Sequence, residues 1–239
     1  MTAAADTQVL RLRDLTHRYG AFTALDGVTL DLPPGITCVA GANGSGKSTL
    51  LDVVAGHRAP SSGAVAGLGF DVADSSRTVG YLPQAFSFAR STTLLDTVLL
   101  SLWLRGFGYE DAMRRALAAL AAVGLSEDAD KRAGQASGGM LRRTGFAVAI
   151  AHDPLLLILD EPTTGVDAAQ RRAMREIIAT QAGRRIVLMS SHIAEDIDML
   201  ADQLVVLARG RVTYVGAPAG AVAASQTDSL EAAIIALSA

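Results

Sequence analysis

Hydrophobic and polar positions alternate near the start of the chain. Leu10-Arg11-Leu12-Arg13 reads as a strand with one wet face, and Val28, Leu30 and Leu32 repeat the period of two. Pro33-Pro34-Gly35 ends the second run as a turn, and Asp26-Gly27 ahead of it has the composition of a hairpin turn. Ile36 to Ala40 is a short apolar run with β-branched residues, which predicts a buried strand. A glycine-rich loop follows, and Ser48 to Ala55 reads as a helix. Residues 56–80 are rich in Gly, Ser and Ala and carry only short strand-like pieces. From about residue 91 to 152 the period becomes helical, with Met113, Leu117, Leu120, Val123 and Leu125 near helical spacing. Leu155 to Leu159 is unbroken aliphatic sequence, expected of a central parallel strand. Beyond it come a helix over Gln170–Gln181, a strand over Arg185–Met189 and a helix over Ile193–Leu200. Leu204–Leu207 and Val212–Val215 predict a hairpin around Arg209-Gly210, and Leu230–Leu237 a terminal helix.

Strands alternating with helices predict an α/β fold with a parallel sheet. The block over 88–153 interrupts that alternation and reads as a helical subdomain inserted into the sheet domain. Residues 1–87 and 154–220 then form the core of a single domain, and 221–239 a tail.

The 239 residues suffice for one large domain with a full core. Half are hydrophobic and 19% are charged, which excludes a disordered chain. A mean hydropathy of +0.31 raises the question of membranes. The apolar runs are too short for the ~18 residues a span needs, and much of the hydropathy is alanine. Residues 1–7 have neither a basic stretch nor an apolar run, so no secretory leader is expected. The single cysteine, Cys38, excludes an internal disulfide and reads as a small buried hydrophobe. A net charge of −3 implies no attraction to nucleic acid. The arginine pairs at 142–143, 171–172 and 184–185 read as solvated helix surface. His17, His57 and His152 fit no catalytic pattern, and no zinc-ligand spacing is present.

Two motifs carry chemistry. Gly41-Ala42-Asn43-Gly44-Ser45-Gly46-Lys47-Ser48-Thr49 fits the phosphate-loop pattern between a strand and a helix. Its glycines let successive N–H groups face one anion, and the helix start adds partial positive charge. Lys47 can reach the β- and γ-phosphates of a nucleotide, and the Ser48 hydroxyl can ligate Mg²⁺. The aliphatic run Leu155–Leu159 ends in Asp160-Glu161, two carboxylates at the sheet edge where the phosphate loop also sits. Asp160 suits Mg²⁺, directly or through water, and Glu161 suits orienting and deprotonating an attacking water.

With these motifs in order, the chain resembles the nucleotide-binding subunit of an ATP-binding-cassette (ABC) transporter across essentially its whole length. Four further elements carry the resemblance. Tyr19 in His17-Arg-Tyr-Gly20 is similar to the aromatic that stacks on adenine. Gln84 in Tyr81-Leu-Pro-Gln84 is similar to the glutamine that touches Mg²⁺ or water and senses the membrane partner. Ser137-Gly138-Gly139 resembles the signature motif, with Ala136 and Met140 departing from its usual Leu and Gln. His192 in Ser190-Ser-His-Ile193 resembles the switch histidine at the γ-phosphate, and Asp167 matches the loop that links two ATP sites.

The resemblance implies a P-loop NTPase (RecA-like) core with an N-terminal antiparallel β subdomain and an inserted α-helical subdomain. It implies ATP and Mg²⁺ as ligands, and catalytic roles for Lys47, Gln84, Glu161 and His192. One phosphate loop and one signature per chain imply a second ATPase subunit, whose Ser137–Gly139 closes over the γ-phosphate held by the first. A separate membrane-spanning permease is implied as partner, with this chain peripheral on the cytoplasmic face of the cell membrane. Phe86, Phe88, Leu95, Leu99, Leu102 and Trp103 are candidates for the permease-docking surface or for subdomain core. Met140 and the arginines after it resemble exporter forms of the signature. Import, or a soluble ATPase of cofactor assembly, are the competing readings.

Overall fold

The structure is a computed structural model that describes residues 9–68, 75–183 and 185–239. Two sheets organise it. The smaller is antiparallel, with β1 (Leu10–Tyr19) between β2 (Phe22–Leu32) and β4 (Ser62–Ala66). The larger has the order β5-β6-β7-β3-β8-β9, formed by β3 (Gly35–Ala40), β5 (Val79–Leu82), β6 (Leu156–Asp160), β7 (Ile186–Ser190), β8 (Gln203–Ala208) and β9 (Arg211–Gly216). Neighbours from β5 to β8 pair in parallel, and β9 alone runs antiparallel.

Side-chain alternation in the parallel strands divides the core in two. Leu156, Ile158, Ile186, Leu188, Val205 and Leu207 face the antiparallel sheet and α1 (Lys47–Val54). Leu157, Leu159, Val187, Met189, Leu204 and Val206 face the helical layer. That is why these strands read as continuous aliphatic runs: both faces are covered, so neither needs a polar position.

The helical layer comprises α3 (Leu94–Leu104), α4 (Tyr109–Ala122) and α5 (Gly138–Ile150), all between β5 and its parallel neighbour β6. Farther along lie α6 (Ala168–Ala179), α7 (Ala194–Leu200), α8 (Pro218–Ser225) and α9 (Leu230–Leu237), while α2 (Ser75–Thr78) is a single turn before β5. Thr93 begins α3 with a complete capping box to Asp96. Ser137 caps α5 by accepting from the Met140 N–H at 3.2 Å. Phe146 of α5 is fully buried among the helices and the sheet.

Four expectations need correction. The first hairpin turns between Tyr19 and Phe22, not at Asp26-Gly27, which lie inside β2. Gly27 has φ +64 and donates its N–H to Thr16 Oγ1, so the Asp-Gly signal marks a bulge within a long strand. On α4 the buried stripe is Ala112, Ala116, Ala119 and Leu120, while Leu117 faces outward; close packing onto neighbouring helices favours the alanines. Leu155 precedes β6 and is half exposed. Arg142 and Arg185 are buried rather than solvated: Arg142 donates to backbone carbonyls, and Arg185 reaches out to the exposed Asp153 carboxylate at 2.8 Å. Arg184 and residues 69–74 lie outside the described residues. The helix α8 had no periodic signal and was not expected.

His152, just past α5, is buried and donates Nε2–H to the Val79 carbonyl at 3.0 Å. Burial first, and the field of Arg105 second, push its pKa from 6.5 down to about 4. The unfolded chain therefore takes up this proton near pH 6.5 while the folded chain refuses it until about pH 4. Stability should fall as pH drops through that window. Chemical denaturation from pH 7 to 4 should show a shallower decline in His152→Gln than in wild type, and parallel slopes would refute the buried neutral imidazole.

Candidate functional site

The loop over 41–46 leaves β3 and enters α1 directly. Gly41, at φ +145, brings the backbone so close to β8 that a Cβ would meet the Leu207 carbonyl at 2.3 Å. Gly46 is the N-cap of α1 in a left-handed conformation, with no side-chain cap and no acidic residue in the first turn. The first amides of α1 are thus left for an external anion. Lys47 Nζ donates to the Gly41 and Ala42 carbonyls at 2.9 and 3.0 Å. Burial lowers the pKa of its ammonium, against the pull of Glu161 and Asp160. A triphosphate would supply the counter-charge that this buried ammonium lacks.

Opposite the loop, β6 delivers Asp160 and Glu161. Asp160 is buried and accepts from Ser190 Oγ at 2.5 Å. Glu161 stands at φ +47, a left-handed conformation that is unusual for a glutamate. Its N–H donates to the same Ser190 oxygen at 2.9 Å. Its carboxylate sits between two side chains: Gln84 Nε2 donates to Oε2 at 3.1 Å, and His192 Nδ1 lies 3.2 Å from Oε1. Segments following β5, β6 and β7 therefore meet on one carboxylate.

Two adjoining cavities share Asn43, Gln84 and Glu161. The smaller, of about 270 Å³, runs from Tyr19 to Lys47, Ser48 and Thr49 past Gly44 and Gly46. The larger, of about 660 Å³, is bounded by Gly41, Ala42 and His192 on one side and by α9 through Glu231, Ile234 and Ile235 on the other. An elongated polyphosphate nucleotide with an aromatic base matches the first: aromatic side chain at one end, amides and ammonium at the other. Ser48, Gln84 and Asp160 offer hard oxygen donors of the kind Mg²⁺ prefers. Among the described residues no group of three or more His, Cys, Asp or Glu could hold a metal unaided.

The structure gathers Tyr19, the 41–49 loop, Gln84, Asp160, Glu161 and His192 in one region, with Ser45 buried in the loop wall. Ser137, Gly138, Gly139 and Asp167 line neither cavity. Ser137 and Gly138 are exposed at the start of α5, and Asp167 caps α6 by accepting from the Gln170 N–H. Residues that sequence reasoning missed are Phe22, across the hairpin from Tyr19 on the base-side cavity, and Ser190 and Arg142 beneath the carboxylates. Ser190 stood in a quoted motif without a role. Phe22 had a signal in its nearness to Tyr19.

The family described as ABC transporter matches residues 25–164, more than half of the chain. The chain belongs to the ABC transporter family. It carries that family's ATP-binding cassette, an ATPase fold. It is 35% identical over 222 residues to ATP-binding cassette sub-family A member 7 of Rattus norvegicus, a match covering 89% of this chain and 10% of that protein. It is 35% identical over 219 residues to the sulfate/thiosulfate import ATP-binding protein CysA of Mycobacterium tuberculosis, covering 89% of this chain and 62% of that one. The chain thus spans about a tenth of the first relative's length and less than two thirds of the second's. A solved ATP-binding subunit of an ABC transporter superposes with a TM-score of 0.85 at 26% identity, covering 97% of this chain and all of that one. Among the described residues no helix is long and apolar enough to cross a membrane.

Ser190 is the shared anchor of both carboxylate residues. Ser190→Ala removes the acceptor for the Glu161 N–H and the donor to Asp160, at about 1–3 kcal/mol for the orphaned groups. ATP turnover should fall about tenfold while ATP affinity changes less than about threefold, measured by steady-state hydrolysis and equilibrium titration. Wild-type turnover would show that the turn holds its shape without this hydroxyl.

Proposed function

We propose that this cassette is the ATP-hydrolysing subunit of a membrane transporter, working as an ATP-bridged pair of subunits on a separate permease. The observation that carries the reading is the Glu161 carboxylate, gripped by Gln84 and His192 beside the phosphate loop.

In this reading Tyr19 stacks on the adenine, and the amides of Gly44, Ser45, Gly46, Lys47, Ser48 and Thr49 cradle the phosphates. Asn43 and Gly41 shape the γ-phosphate end. Lys47 leaves the Gly41 and Ala42 carbonyls for the β- and γ-oxygens. Mg²⁺, held by Ser48 and Gln84 and by Asp160 through water, would neutralise charge on the phosphate oxygens. Glu161 orients a water and takes its proton as the water oxygen bonds to the γ-phosphorus and the bond to the β–γ bridging oxygen breaks, leaving ADP and phosphate. His192 steadies the γ-phosphate. Each Glu161 oxygen meets one side chain and keeps a second lone pair that can accept from the attacking water.

Ser137, Gly138 and Gly139 serve in trans. The exposure of Ser137 and Gly138, and the lining of the chain's own cavities by other residues, support a second copy or paralogue that presents the same motif to this ATP, with Asp167 at the contact between the two sites. ATP then belongs to the interface, and hydrolysis opens it. We read the direction as export, on the Ser137-Gly138-Gly139-Met140 form and its following arginines. Overall identity does not choose, since it is equally high to a relative named for import. A place on the cytoplasmic face of the membrane goes with this reading.

Glu161→Gln should bind ATP with affinity close to wild type, hydrolyse it at least about a hundredfold more slowly, and accumulate as an ATP-dependent dimer. Equilibrium titration, phosphate release and light scattering measure the three in turn. A variant that hydrolyses at the wild-type rate would remove Glu161 as base and the reading with it.

Exposure narrows where a permease could dock. Leu94, Val98 and Leu102 of α3 are core, and Phe86, Phe88, Leu95 and Leu99 are half-buried against it. Leu100, Trp103, Leu104 and Tyr109 are exposed, with Trp103 and Leu104 at 69% and 72%. This apolar patch is proposed as the docking site. Trp103→Glu should lose co-purification with the permease from detergent-solubilised membranes while keeping its melting temperature and ATP binding. Undiminished co-purification would place docking elsewhere.

A further inference from the structure

Arg142 sits one turn into α5, the helix that starts at Ser137, and is only 8% exposed. Its guanidinium donates five hydrogen bonds, all to backbone carbonyls. Nε reaches Pro162 at 3.0 Å, Nη1 reaches Pro83 and Gln84 at 3.2 and 2.8 Å, and Nη2 reaches Asp160 and Glu161 at 3.1 and 2.5 Å. No carboxylate pairs with it among these contacts, so a full charge has been buried to gather carbonyls. The acceptors belong to two segments far apart in sequence, one carrying Gln84 and the other Glu161. The guanidinium carbon also lies over the Phe86 ring, 5.5 Å from its centroid. Phe86 in turn lies over Gly145, where a Cβ would come within 2.6 Å of the ring. Arg142 and Gly145 share one face of α5, three residues apart. The helix thus offers an arginine and a bare patch of backbone to the same loop.

We propose that Arg142 is a positioning residue for hydrolysis, tying the Pro83–Gln84 segment to the Asp160–Glu161–Pro162 turn so that the Gln84 amide and the Glu161 carboxylate are held as one unit by the helix bearing Ser137–Gly139. The fixed fork of the guanidinium is what the arrangement demands. A lysine ammonium has three donors on a single nitrogen and cannot span five carbonyls on two segments. The consequence is mechanical. A displacement of α5, when its exposed start closes on the ATP of another subunit, is transmitted through one side chain to the base at this chain's own ATP. The contact to the Glu161 carbonyl lies at the residue with left-handed φ, so Arg142 also helps to maintain that conformation. This role rests on the hydrolytic assignment of Glu161, but the tie between the two segments does not.

The test separates the two. Hydrogen–deuterium exchange of the full chain is compared for wild type, Arg142→Gln and Arg142→Lys. In both variants amides of residues 84–87 and 161–164 should exchange about tenfold faster together, while those of β3 and β7 stay unchanged. Arg142→Lys, which keeps the charge and the stem packing, serves where Arg142→Gln fails to fold. Steady-state hydrolysis should then show kcat reduced about 10- to 100-fold with KM for ATP within about threefold. Unchanged exchange in either segment overturns the tie. Faster exchange in both segments with wild-type kcat overturns the positioning role. Loss spread over the whole chain, with ATP binding lost in parallel in both variants, reduces Arg142 to a structural residue. If wild-type protein itself does not hydrolyse ATP, the proposed function fails, while the exchange comparison still decides whether Arg142 joins the two segments.

Discussion

A parallel sheet sends the carboxyl ends of all its strands to one edge, and this constraint governs the rest of the structure. The strands β3, β5, β6 and β7 lie within one block of four, in the order β5-β6-β7-β3. The segments that leave them carry the phosphate loop, Gln84, Asp160-Glu161 and His192 in turn. None of these segments needs to seek the others. Pairing such as Leu159 with Met189, and Cys38 with the same Met189, already fixes their starting points to within a strand spacing. What remains for local chemistry is to set the last few ångströms.

That local setting is costly at one place. A glutamate in the left-handed region forfeits of order 1–3 kcal/mol and persists only where its surroundings over-determine it. Here Ser190 accepts the Glu161 N–H, Arg142 binds the Glu161 carbonyl, and Gln84 and His192 meet its carboxylate. Four groups from three separate stretches of chain therefore converge on one residue. The anchoring comes from below through buried Ser190 and Arg142, whereas the carboxylate contacts come from above and can be exchanged for water and phosphate. The backbone geometry of Glu161 is thereby fixed independently of what its carboxylate meets.

How much of this the sequence disclosed follows from the range of the interactions. The phosphate loop was legible because the glycines, the lysine and the flanking strand and helix are contiguous. The aliphatic run before Asp160-Glu161 was legible because burial on both faces leaves no polar gap. Asp26-Gly27 misled because the same dipeptide that closes a tight hairpin also relieves a bulge in a long strand, and only the register of β1 against β2 tells the two apart. The alanine face of α4 was hidden because leucines give the stronger periodic signal, although Leu117 points outward. Arg142 could not be found at all: its partners are main-chain carbonyls, which no residue pattern announces, on segments about 20 and 60 residues away. Beside Arg143, which reaches the carbonyls of Val123 and Gly124, it looks like half of an ordinary charged pair.

The contrast between Ser137 and Arg142 explains why one helix would report on two nucleotides. Ser137 and Gly138 at the start of α5 are solvent-exposed and line neither of the chain's own cavities. The second turn of α5 buries Arg142, which spends a full charge on the backbone of the turn that carries Asp160 and Glu161. Between them Gly139 leaves so little room that a Cβ would lie 2.0 Å from the Gln170 side chain at the start of α6, just beyond Asp167. The start of α5 thus lies against the Gln170 side chain and is joined to the turn after β6 through Arg142. In the proposed coupling, a displacement of that start passes through Arg142 to the backbone of the turn that bears Glu161, because the guanidinium is bonded to the carbonyls of both Asp160 and Glu161.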